Sequence, residues 1–173
     1  MQKPLVMTII GRDRTGLVES LARLVTDNHG NWLESRMCRL GGEFAGILRV
    51  QVPEEMEQEL IQALRALYSE GLTLIVRPDN SIPVAEATRS ASLSLVGQDQ
   101  PGIIYQISAV LARNKVNVEQ LESECFSGPM SGETMFTAMA RLKIPESCVE
   151  EDLRRELERL GNELMIDISI TEN

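Results

Sequence analysis

The chain has 173 residues, 43% of them hydrophobic and 25% charged, with a formal net charge of −9. The hydrophobic share is that of a folded protein rather than a disordered one, and the length allows one medium domain or two small ones. With aromatics at only 3% and no basic stripe, the acidic chain lacks the positive field and stacking surface that direct DNA or RNA binding needs.

Leu5–Ile10 reads as an opening strand, followed by a polar turn. From Leu17 the apolar residues Leu17, Val18, Leu21, Leu24 and Val25 fall at helical spacing, and Asn28-His29-Gly30 stops the helix. Trp32–Leu40 and Phe44–Val52 read as strands around a tight Gly41-Gly42 turn. Met56, Leu60, Ala63, Leu64 and Leu67 mark one face of a second helix, Gly71 ends it, and Leu72–Val76 is a closing strand.

Pro78–Arg89, polar and with two prolines, reads as a linker. The same order then returns. Ser92–Val96 is a strand, Ile103, Ile104, Ile107, Val110 and Leu111 line a helix, and Asn117–Glu124 and Met135–Ile144 are strands. A helix carrying Val149, Leu153, Leu157 and Leu160 follows Pro145, and Leu164–Ile170 ends the chain. The copies are offset by 86 positions at their start and by 92 from the third strand on, so residues 127–132, "SGPMSG", form an inserted loop. A βαββαβ order is the ferredoxin-like unit, an antiparallel sheet with both helices on one face. The expectation is an α+β protein of two such domains, 1–78 and 90–173, joined by a linker at 79–89.

The turn after the first strand repeats as well. Gly11, Asp13 and Gly16 match Gly97, Asp99 and Gly102. An aspartate just before a helix serves either as a cap for its open N–H groups or as part of a ligand site. Glycine at a helix start needs a reason: a positive φ, a close helix–strand contact, or an approaching ligand. Open N–H groups at a helix start also bind carboxylates. Asn31 and Asn117 enter the second strand of each copy as turn residues, or as amides that could hold both charged ends of an amino acid. The single histidine, His29, lies in a polar turn and reads as solvated; Trp32 reads as core or interface.

Enzyme chemistry finds little support. His29 has no nucleophile motif around it, and paired carboxylates such as Glu54-Glu55 lie on charged helix faces. Cys38, Cys125 and Cys148 are odd in number and widely spaced, which fits reduced thiols better than a disulfide frame or a metal loop. No catalytic residue, metal or cofactor is expected. The apolar runs are too short to span a membrane and the start lacks a signal-peptide layout, so a cytoplasmic location is expected.

The order strand, Gly-x-Asp-x-x-Gly, amphipathic helix, Asn, strand, twice in tandem, resembles a pair of ACT domains. "GRDRTGLVESLARLVTDNHGNW" and "GQDQPGIIYQISAVLARNKVNV" carry the resemblance, which covers the chain apart from the linker. Two ACT domains without an attached enzyme resemble the glycine cleavage system transcriptional repressor family. They also resemble the regulatory ends of formyltetrahydrofolate deformylases and nitrogen-sensing uridylyltransferases. The resemblance implies a regulatory protein that binds a small ligand, usually an amino acid such as glycine, where the opening loop of one domain meets a neighbouring domain. It maps the site onto Gly11, Arg12, Asp13, Thr15, Gly16, Leu17 and Asn31, and onto Gly97, Asp99, Gly102, Ile103 and Asn117. It also implies a separate DNA-binding regulator as partner, with a homodimer possible. The short Gly41-Gly42 turn against the long "FSGPMSGE" loop means that the two copies need not bind the same ligand. A structural or assembly module without ligand is the alternative.

Overall fold

Apolar and polar residues alternate along the opening strand, and the fold follows from that period of two. Leu5, Met7 and Ile9 are buried, while Thr8 and Ile10 face outward. In the computed structural model, which describes residues 1–80, 87–128 and 132–172, this strand is β1 (Gln2–Arg12). Helix α1 (Leu17–Asp27), strands β2 (Asn31–Leu40) and β3 (Glu43–Pro53), helix α2 (Glu57–Ala66) and strand β4 (Leu72–Pro78) complete the first unit. Short 3-10 turns at Glu54–Met56 and Leu67–Glu70 flank α2. The sheet order is β2-β3-β1-β4 with every neighbour antiparallel. Leu17, Leu21 and Val25 of α1 and Leu60 and Leu64 of α2 cover the buried face of this sheet in one core.

The second unit repeats the design with β5 (Thr88–Gln98), α3 (Ile103–Arg113), β6 (Asn117–Ser127), β7 (Thr134–Pro145), α4 (Glu150–Leu164) and β8 (Ile166–Glu172). Its order is β6-β7-β5-β8, again antiparallel throughout. The chain thus forms two compact units, Met1–Pro83 and Val84–Asn173, each a ferredoxin-like α+β sheet of the expected order. Most strands run one to four residues beyond their apolar segments, because polar residues continue the ladder where hydropathy no longer signals it. Residues 81–86 of the expected linker and 129–131 of the expected inserted loop lie outside the described residues. Thr88 and Arg89, at the end of that expected linker, already pair with Pro145 and Ile144.

Two local devices recur at the 86-residue offset. A β-bulge interrupts β2 between Trp32 and Glu34 and β6 between Val118 and Gln120. Each first helix ends on a residue in the left-handed region, His29 and Lys115, both at φ 57°. The following amides reach back to Val25 and Leu111 at 2.8 and 2.9 Å, closing the C-terminus as a Schellman motif. His29 is exposed there, a solvated turn residue. Trp32 packs half-buried against the first core.

Candidate functional site

The opening loop of each unit starts with a glycine that no other residue can replace. A Cβ at Gly11 would stand 2.6 Å from the Gly71 carbonyl oxygen, and one at Gly97 would stand 2.8 Å from Ile166 Cα. These glycines let β4 and β8 close on the central strand; their role is scaffold. The second glycine has a different reason. Gly16 and Gly102 are N-caps at φ 85° and 94°, and a Cβ on either would meet nothing closer than 3.8 Å. Of the three reasons a glycine could have here, positive φ is the operative one within each unit.

The aspartates do not cap the helices. Gly16 and Gly102 fill the cap positions and neither helix has a side-chain cap. The Asp13 amide instead donates to the Gly42 carbonyl at 3.0 Å, and its carboxylate pairs with Arg39 of β2 at 2.6 Å. The Asp99 amide likewise donates to Thr134 at 2.9 Å, but at the position of Arg39 the second unit has Cys125. That thiol lies within the electrostatic reach of the Asp99 carboxylate. Partial desolvation first, and the Asp99 charge second, hold the Cys125 thiol above its usual range. Removing that charge favours the thiolate. Asp99→Asn should therefore alkylate faster with iodoacetamide near pH 8, with a rate profile displaced to lower pH; an unchanged profile would remove Asp99 as a cause.

The loops differ in charge in a consistent way. The first loop carries Arg12 and Arg14 and is met by Arg39 through Asp13, and their counterparts in the second unit are Gln98, Gln100 and Cys125. Arg14 forms an ion pair with Glu70, whereas Gln100 donates to the Leu164 carbonyl at 2.5 Å. Arg12, Asp13, Thr15 and Gly16 are exposed. Leu17 and Ile103, the first residues of α1 and α3, bury their side chains in the cores, so they offer the loop only their backbone. Arg39 was not singled out from sequence. Its signal was the aligned contrast with Cys125, which becomes meaningful once β2 is known to end beside the loop.

The asparagines stand elsewhere. Asn31 pairs with Gln51, which is opposite Pro4, whereas Gly11 lies opposite Phe44 at the other end of the sheet. Seven residues of strand separate those levels, about 23 Å at the usual rise. Asn117, opposite Lys143, is displaced from its own loop in the same way. Each unit therefore brings Gly11–Leu17 or Gly97–Ile103 together but holds its own asparagine, exposed, at the far end. Both asparagines sit directly before the bulge.

The sheets, the repeated glycine turn and the uncapped helix start coincide with one family. A model of the ACT domain matches residues 3–77 and again 92–171. The chain belongs to the ACT domain family. ACT domains are ligand-binding regulatory modules. A UPF0237 protein of Methanopyrus kandleri is 30% identical over 81 residues, covering 46% of this chain and 83% of that protein. A protein of unknown function from Galdieria sulphuraria superposes with a TM-score of 0.88 at 29% identity, covering 100% of this chain and 99% of that one. A candidate glycine cleavage system transcriptional repressor superposes with a TM-score of 0.70 at 18% identity, over 100% and 98% of the two chains. At that identity the likeness concerns the fold of the ACT pair. Among the described residues no group of three His, Cys, Asp or Glu side chains could hold a metal ion. No described helix is long and apolar enough to cross a membrane.

Proposed function

We propose that this ACT pair is a non-catalytic sensor that binds a small amino acid such as glycine at the opening loop of its first unit. The observation that carries this reading is an uncapped helix start in a loop that carries Arg12 and Arg14, with Arg39 held beside it by Asp13. An α-carboxylate is drawn both by the free N–H groups of the first turn of α1 and by the guanidinium groups of Arg12, Arg14 and Arg39. Asp13, exposed at the same loop, supplies the opposite charge for the ammonium group. The second loop, with neutral residues at all three arginine positions, favours an anion less. Within a unit, Asn31 and Asn117 stand too far along the sheet to join such a site.

A ligand that favours one conformation over others can inform a partner, and couplings of about 1–3 kcal/mol suffice for that. The acidic chain suits a separate DNA-binding regulator as that partner, so the reading is of a repressor-type regulator of amino-acid metabolism acting in the cytoplasm. Calorimetry with glycine and other small amino acids tests it. Thr15 is exposed, so Thr15→Glu keeps the fold and sets a competing carboxylate at the helix start; Pro101→Glu does the same in the second unit. Binding weakened at least about tenfold by Thr15→Glu and little changed by Pro101→Glu is expected. Unchanged binding in both variants would place the ligand elsewhere. No binding to the wild type would leave the assembly-module reading.

A further inference from the structure

The two cores are not filled alike. The second unit contains an apolar cavity of about 160 Å³ between α3 and the sheet, reaching from Leu93 and Ile107 outward to Val118 and Leu121. The corresponding place in the first unit is occupied. There Trp32 stands where β6 has Val118, Leu48 where β7 has Ala140, and Met37 where β6 has Ser123. Trp32 and Met37 pack against the first core and Leu48 is fully buried within it. Val118, by contrast, is 37% exposed and Leu121, in place of Ser35, is 46% exposed. Among the lining positions the two large losses are Trp32 to Val118 and Leu48 to Ala140, whereas Val18 to Ile104, Val25 to Leu111, Ser35 to Leu121 and Gly46 to Ala138 are gains. The cavity lies where the two losses, at Val118 and Ala140, line the same space.

We infer that the second unit holds a binding site for a small neutral apolar ligand, or the apolar end of one, in the α3–β6 cavity. An apolar cavity of about 150 Å³ in a protein core stays dry and accepts a benzene-sized guest. Here the walls are aliphatic apart from the Ser108 hydroxyl on α3. That one group tolerates a single hydrogen-bonding function on the ligand and gives no counter-charge for an ion. Exposed Val118 and Leu121 on the edge strand form the mouth, so a ligand enters without opening the core. The site is separate in chemistry from the opening loops: those attract charges, this one excludes them. In the first unit Trp32 stands at the position of the mouth residue Val118 and packs against the core there.

Methyl-resolved NMR on the full chain tests the assignment, with toluene as the apolar probe and succinate as the charged control. Toluene should shift the methyl signals of Ile107, Leu111, Val118 and Leu121 saturably, and succinate should leave them in place. Val118→Trp copies the plug of the first unit and Ala140→Leu fills the floor. Each should weaken toluene binding at least about tenfold while the fold is retained. Should Val118→Trp fail to fold, Ala140→Leu alone decides. No saturable shift of these methyls in the wild type, or equal toluene affinity in a folded filled variant, would overturn the site.

Discussion

Gly97→Ala should destabilise the second unit by about 3 kcal/mol, the upper end of the cost of overpacking. The added Cβ would lie 2.8 Å from Ile166 Cα and 2.9 Å from Ile166 Cβ. Neither can rotate away, because Gly97 and Ile166 are direct partners in the β5–β8 ladder and Ile166 is buried in the core. Relief requires β8 to move off the central strand, which exposes Ile166, Ile168 and Ile170 together. Gly102→Ala is the contrast. Its Cβ would meet only the Gln106 amide nitrogen at 3.8 Å, so its cost is that of an alanine at positive φ, about 1 kcal/mol. Urea unfolding of both variants separates the two effects. A Gly97→Ala midpoint equal to that of Gly102→Ala would mean that the strand contact is looser than described.

The second large effect belongs to the first core. Leu48→Ala should cost about 4 kcal/mol, because Leu48 is fully buried and its truncation leaves a cavity in the first core. It lies opposite Met7 on the central strand, and Val50 and Val52 continue the same face of β3. The second unit already has alanine at this register, Ala140, opposite Leu93. The reverse exchange, Ala140→Leu, should therefore cost far less than Leu48→Ala or raise stability. Denaturation of the pair checks this. Equal losses in both would show that the two cores are packed alike after all.

The sequence carried the repeated order of elements because burial imposes it. Leu5, Met7 and Ile9 alternate, and Leu17, Leu21 and Val25 recur at helical spacing, so strand and helix were readable locally. What escaped depends on register. Whether Asp13 caps a helix or pairs with Arg39 is decided by where β2 ends, and Arg39 lies 26 residues away along the chain. The distance from Asn31 to its loop follows from the sheet order β2-β3-β1-β4, which no local pattern states. The two kinds of glycine also looked the same in sequence. Only the backbone separates Gly11, needed for close approach, from Gly16, needed for its φ of 85°. The cavity was partly legible: Trp32 against Val118 is visible in the aligned copies, but Leu48 against Ala140 requires the 92-residue offset.

The bulges set a limit on recruitment at the sheet borders. β2 and β6 are edge strands, each with one side of its backbone unpaired within its unit, and such an edge is a template for another strand. A newcomer can extend an unbroken ladder only along Glu34–Leu40 or Gln120–Ser127, since the extra residue, Leu33 or Glu119, throws the hydrogen bonds out of phase ahead of it. The templates thus stop at Glu34 and Gln120, three residues short of the asparagines. Asn31 and Asn117 are left outside any such added ladder, with their amides free for other contacts even in a chain whose edges are fully occupied.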